Sequence, residues 1–168
     1  RAGPGGTGSA KAGGNYAASL LPQIQAEAKG FSQVCFLDTY EGKYLEELGG
    51  MNMFVVMADG AIRTPELTGV ILEGGTRSAI LRLLRDEGVD VREEKIALSE
   101  VVDGIRSGAV AEVFACGTAA VVTPITRLGG DDFDVEIAVG DKTRQIHQRL
   151  TDIQWGRAED PYGWTYRL

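Results

Sequence analysis

Lys11 lies in the run Gly8-Ser9-Ala10-Lys11-Ala12-Gly13-Gly14-Asn15-Tyr16, where every immediate neighbour is small. An amine attacks an aldehyde only when neutral, and an apolar, glycine-walled setting favours the neutral form by desolvating the ammonium. Small neighbours also admit a flat molecule close to the amine. The competing reading is a lysine in a flexible surface loop. Tyr16, five positions on, falls just inside a helix-like segment, so its phenol can turn back toward the amine. Alone it reads equally well as core packing. Glu47 opens Glu47-Leu48-Gly49-Gly50-Met51-Asn52, a strand-like stretch in which an unpaired carboxylate would be costly to bury. A protonated ring nitrogen is a natural partner for it. The plainer alternative is an exposed strand-edge glutamate, as expected for Glu46 beside it.

Two further segments offer places for an anion. Gly74-Gly75-Thr76-Arg77 precedes a helix pattern, so the Gly75 and Thr76 amides and the Thr76 hydroxyl can meet a phosphate at the positive end of the helix dipole. An ordinary threonine cap competes with that reading. Cys116-Gly117-Thr118-Ala119-Ala120 interrupts two apolar strands, and its Thr118 hydroxyl and free amides can meet a phosphate and a carboxylate, with a plain tight turn as the rival. An amine, a carboxylate for a ring nitrogen and two anion cradles are together the parts of a pyridoxal phosphate site. In such a site the carboxylate keeps the ring nitrogen protonated and so strengthens the electron sink for a substrate carbanion.

Other chemistries lack their residues. Gly3-Pro4-Gly5-Gly6-Thr7-Gly8 matches GxGxxG, but no strand precedes it and no helix opens from it, which excludes a dinucleotide fingerprint. The one histidine, His147, falls in a charged helix and reads as a solvated face residue, leaving neither a Ser-His-Asp mechanism nor a zinc ligand set. The run Arg92-Glu93-Glu94-Lys95 reads as solvated surface. Cys35 and Cys116 have no paired spacing, so no disulfide or metal framework is expected, and a reducing cytoplasmic compartment is the simplest home.

Composition agrees with one globular domain. The chain has 168 residues, 43% of them apolar and 24% charged. A formal net charge of −7 argues against broad nucleic-acid binding, which needs clustered positive charge. No apolar run approaches the roughly 20 residues of a membrane span.

The elements that must position these residues follow from pattern. A glycine-rich loop through Gly14 leads into a helix capped by Asn15 and stopped near Gly30, in keeping with the residues favoured at helix ends. Strands are expected over 31–39, 43–48 and 51–58, the last forming a hairpin through Asp59-Gly60. Helices are expected over 76–87, from Ser99, and from Asp141 to about Gln154, with strands over 89–93, 110–116 and 119–128. This mixture predicts an α/β or α+β domain built on a mixed sheet.

Across essentially its whole length the sequence resembles the class IV, fold-type IV pyridoxal phosphate enzymes, and within them the branched-chain amino acid aminotransferases. The resemblance rests on KAGGNY around Lys11, ELGGMN from Glu47, GGTR, CGTAAVVTP from Cys116, and the closing LTDIQWGRAEDPYGW. It implies a barrel-like large domain, with Lys11 forming the covalent imine and moving the substrate proton. It implies Glu47 on the ring nitrogen, Tyr16 on the phenolic oxygen, and Gly75, Thr76 and Thr118 on the phosphate. Tyr16, Gly50 and the Ala119 amide would face the substrate. The implied reaction transfers an amino group from leucine, isoleucine or valine to 2-oxoglutarate; a D-amino acid aminotransferase or a 4-amino-4-deoxychorismate lyase are same-fold alternatives. Gly75 stands where valine or isoleucine is usual, Gly50 where some members carry threonine, and Ala120 and Thr123 where some animal relatives carry a CxxC, so no thiol switch is expected. The resemblance also implies a homodimer. It makes the chain the lysine-bearing C-terminal domain, expected to work with an N-terminal domain absent from it.

Overall fold

The computed structural model describes residues 1–166. In chain order the elements are α1 (Gly14–Ala28), β1 (Cys35–Leu37), β2 (Leu45–Leu48), β3 (Asn52–Met57), β4 (Ile62–Pro65), α2 (Gly75–Asp86), β5 (Val91–Glu94), α3 (Leu98–Ser107), β6 (Val110–Gly117), β7 (Val121–Pro124), β8 (Arg127–Gly129), β9 (Asp134–Glu136) and α4 (Asp141–Gln154). The centre is a five-stranded mixed sheet in the order β5-β4-β3-β6-β7, with β4 and β5 parallel and the other neighbours antiparallel. Two-stranded ribbons, β1-β2 and β8-β9, complete the β structure among the described residues. The α/β, mixed-sheet class expected from the pattern is the class observed. Among the described residues no helix is long and apolar enough to cross a membrane.

Strand alternation divides the core. Phe54, Val56, Phe114 and Cys116 face α2 and α4, packing on Ile80, Leu84, Ile146 and Leu150. Met53, Val55, Val113 and Ala115 point to the other face, toward Leu45, Leu48, Ile96 and Val101. Phe54 and Phe114 are register partners on β3 and β6, and their rings stack with centroids 4.9 Å apart, a cross-strand aromatic pair of the kind that stabilises sheets. β4, α2 and β5 form the chain's parallel crossover, which puts the start of α2 beyond the end of β4.

Several boundaries differ from expectation for identifiable reasons. The strand expected over 119–128 is two strands: β7 stops at Pro124, and the chain turns so that β8 pairs with β9. β9 itself, Asp-Val-Glu, carries too little apolar pattern to be read from sequence. The cap of α1 is Gly13 rather than Asn15, whose side chain is turned into the preceding loop. The run 92–95 is only partly solvated surface: Glu93 pairs with the buried Arg77 at 2.8 Å, and Glu94 pairs with Arg63. His147 is exposed on α4, as expected. α1 buries only Asn15, and its Leu20, Leu21 and Ile24 are 65%, 64% and 63% exposed.

α4 is started from a distance. The Glu112 carboxylate, buried on β6, accepts the Lys142 amide at 3.0 Å and the Thr143 amide at 2.8 Å. It thus fills the role of an N-cap side chain. Gly140 is required beside it, since a Cβ there would lie 2.0 Å from Oε1. Glu112→Ala is expected to cost about 3 kcal/mol, from two charge-assisted bonds lost and two amides left unpaired. A urea midpoint unchanged from wild type would show that the cap carries no such weight.

Candidate active site

The Lys11 loop is held by its neighbours rather than by the lysine. Asn15, buried in the first turn of α1, donates to the Thr7 carbonyl at 2.8 Å and the Ala10 carbonyl at 2.9 Å, and accepts the Thr7 hydroxyl at 2.6 Å. The Ser9 amide donates to the Gly69 carbonyl at 3.2 Å, and Gly8 lies so close to Val70 that a Cβ would meet its oxygen at 2.1 Å. These contacts fix the backbone on both sides of Lys11. Lys11 itself is exposed, so this chain does not supply the apolar enclosure expected for it; the glycine and alanine walls bury little. Tyr16, half-buried, stands on the first turn of α1.

Glu47 is 3% exposed on β2. Its Oε1 accepts from Arg1 Nε at 3.0 Å and from an Arg1 Nη, and its Oε2 accepts the Leu72 amide at 3.4 Å. Burial pushes the Glu47 carboxyl upward, against the pull of the Arg1 hydrogen bond and charge, because a low-dielectric setting disfavours the charged form. The Arg1 guanidinium also lies over the Tyr16 ring, 5.1 Å from its centroid. This is cation–π range, so Tyr16 and Glu47 meet through Arg1.

Glu46 is a correction to the sequence reading. It is 7% exposed rather than a solvated edge residue, and its Oε2 accepts no hydrogen bond among the described residues. Burial raises its carboxyl above the ordinary range, with Asp38 and Glu47 adding to the effect. A raised acid contributes stability that is full below the unfolded value of about 4.3 and is lost as pH rises through the folded value. Glu46→Gln is therefore expected to be more stable than wild type at pH 7, with the gap closing toward pH 4. Melts showing the same gap at both pH values would contradict this.

Leu72 connects Glu47 to the start of α2. Its carbonyl accepts Asn52 Nδ2 at 2.8 Å, and two residues later Gly74, at φ 72°, enters the helix. Gly75 and Thr76 are the first helical residues, not a flank before it, and helix geometry leaves first-turn amides without intrahelical partners. Arg77, 1% exposed, ties this end to β4 and β5 through the Pro65 carbonyl at 3.0 Å and Glu93 at 2.8 Å. Thr118 and Ala119 are exposed on the β6–β7 turn. That turn rests on the β2–β3 turn, where a Cβ on Gly117 would lie 3.2 Å from Met51 Cγ and 3.7 Å from the Gly50 oxygen; Gly50 itself is exposed. Val121, just after the turn, holds φ 54°, a strained value for a β-branched residue.

The structure thus joins Tyr16, Arg1, Glu47, Leu72 and the start of α2 in one chain of contacts. Gly50, Thr118 and Ala119 adjoin it through the paired turns. Lys11 is tied in through its loop backbone, not by a side-chain contact. Sequence reasoning missed Arg1, which carries no local motif, and gave Asn52, the last residue of the ELGGMN run, no role of its own. A cavity of about 710 Å³ lies elsewhere, between α1 and the sheet beside Phe31, Leu45 and Val113.

These residues fit a phosphorylated, ring-nitrogen aldehyde. Glu47 already grips a planar cation against Tyr16, the first-turn amides of α2 have no intrahelical partners, and Arg1 Nη1 is a buried donor with no partner among the described residues. No group of three or more candidate metal ligands occurs among them.

Comparison with known proteins agrees with this geometry. Residues 4–128 match the family model of the class IV aminotransferases. The chain is 47% identical to a probable branched-chain-amino-acid aminotransferase of Streptomyces coelicolor, over all of this chain and 47% of that protein. A crystal structure of the Escherichia coli branched-chain amino acid aminotransferase superposes with a TM-score of 0.82 at 34% identity, covering 98% of this chain and 51% of that one. The T.th. branched-chain amino acid aminotransferase complexed with N-(5'-phosphopyridoxyl)-L-glutamate superposes with a TM-score of 0.80 at 33% identity, covering 95% of this chain and 50% of that one. The chain therefore spans about half the length of the relatives it matches. A match over most of its residues, with the site segments held in one contact network, makes this chain a member of the class IV aminotransferase family.

Proposed function

We propose that the complete protein transfers the amino group of leucine, isoleucine or valine to 2-oxoglutarate, using pyridoxal 5'-phosphate. The observation that carries this reading is the contact network running from Tyr16 through Arg1 and Glu47 to the start of α2, beside the fixed loop of Lys11. The names of the relatives and the phosphopyridoxyl ligand of one of them support it.

When bound, the cofactor supplies an aldehyde and an electron sink. Lys11 Nζ would hold the cofactor through that aldehyde carbon, with loss of water, and as a free amine would move the proton at the substrate α-carbon. Glu47 holds the proton on the ring nitrogen, Tyr16 donates toward the phenolic oxygen, and the amides of Gly75 and Thr76 with the Thr118 hydroxyl receive the phosphate. The Ala119 amide orients the substrate carboxylate, and Gly50 and Tyr16 border the substrate. Lys11, Thr118 and Ala119 are exposed and α1 carries a bare apolar ridge. Both are consistent with a site completed by further protein. In this reading the chain is the C-terminal domain, an N-terminal domain closes the site, the assembly is a homodimer and the compartment is the cytoplasm.

The test compares turnover of L-leucine, D-alanine and 4-amino-4-deoxychorismate by the complete protein. Glutamate formation from L-leucine and 2-oxoglutarate supports the reading. Preferential use of D-alanine, or release of pyruvate from aminodeoxychorismate, replaces it with one of the same-fold alternatives.

A further inference from the structure

We propose that Asn52 is a positioning residue that sets the phosphate end of the site at a fixed distance from Glu47; this rests on the reading above. The β2–β3 turn, closed by the Leu48 amide on the Met51 carbonyl at 2.9 Å, brings Glu47 and Asn52 to its two arms. The arms grip one residue, Leu72, through the peptide groups on either side of its Cα. Glu47 Oε2 takes the Leu72 amide at 3.4 Å, and Asn52 Nδ2 donates to the Leu72 carbonyl at 2.8 Å. Asn52 is 6% exposed, so its carboxamide is a fixed strut rather than a solvated surface group.

The same side chain sets the entry into α2. A Cβ on Gly74 would lie 2.1 Å from Asn52 Oδ1, and Gly74 holds φ 72°. The backbone therefore approaches the carboxamide as only glycine allows. Gly75 and Thr76 follow immediately. A rigid ring carries its nitrogen and its phosphate at a set separation, so both ends must be in register at once for binding to be strong. Asn52 provides that register, with no atom of its own needed on the cofactor.

The experiment measures dissociation constants of pyridoxal phosphate and of pyridoxal, which lacks the phosphate, for the complete protein and its Asn52→Ala variant by absorbance titration. Pyridoxal phosphate should bind about 10- to 100-fold more weakly, the range for one buried hydrogen bond lost with its acceptor left unpaired. Pyridoxal should change by less than about threefold, because its binding does not draw on the α2 end. Equal losses for the two ligands, or no loss, would overturn the assignment. A wild type that bound neither ligand would instead sink the cofactor reading itself. If Asn52→Ala does not fold, hydrogen exchange of the wild type decides: on adding pyridoxal phosphate, amides 71–73 must gain protection together with 75–78, and protection confined to 75–78 overturns the proposal.

Discussion

Lys11→Ala in the complete protein is expected to lower amino transfer from leucine to 2-oxoglutarate by at least about 10³-fold, since in the proposed function it removes both the attaching amine and the group that moves the α-proton. Among the described residues no other lysine is placed to take over. Lys29 pairs with Asp131 beyond the end of α1, Lys43 and Lys95 lie against Tyr44, and Lys142 is in the first turn of α4. The loop should survive the change, because Asn15, Ser9 and Gly8 hold it and the lysine side chain does not. The loss should therefore appear in rate and in the visible absorbance of the bound cofactor, with the melting temperature little moved. Borohydride reduction of the wild type should label position 11; a label on another lysine, or near-normal turnover by Lys11→Ala, would remove Lys11 from its role.

Glu47→Gln is the second large effect, expected to reduce turnover on the order of 10²-fold or more, the scale for removing one preorganised electrostatic partner. The substitution keeps shape and can still accept the Leu72 amide, so it separates charge from packing. What it removes is the negative charge that, in the proposed function, holds a proton on a ring nitrogen. It also leaves the Arg1 guanidinium, whose side chain is 3% exposed, facing a neutral amide. Some loss of stability should accompany the loss of rate, because a buried charge is left uncompensated. Attachment of cofactor at Lys11 should persist, since that bond forms at the other side of the ring. A Glu47→Gln protein with wild-type turnover would exclude the carboxylate from the chemistry.

Local pattern made much of this protein legible. α2 and α4 were readable because Ile80, Leu81, Leu83 and Leu84, or Ile146, Leu150 and Ile153, recur at helical spacing and glycines or a capping turn bound them. The site segments were readable because glycine and small residues beside an amine or a carboxylate have few purely structural uses. What escaped were residues whose partners lie far along the chain. Arg1 meets Glu47 across 46 positions, Asn52 meets Leu72 across 20, and Glu112 caps a helix 30 residues away. Periodicity carries no information about such pairs. The burial of Glu46 escaped for the same reason: Leu-Glu-Glu-Leu has no alternation to show that all four residues of β2 are buried.

The two rims of the central sheet are protected in different ways. β5, at one rim, carries Arg92, Glu93 and Glu94, and the acidic pair is held in place by arginines of β4 and α2. β7, at the other, begins at the twisted Val121 and stops at Pro124. A foreign strand would have to desolvate charge on one flank or pair with a backbone that cannot continue the ladder on the other. The chain thereby resists edge-to-edge polymerisation at both flanks of the sheet.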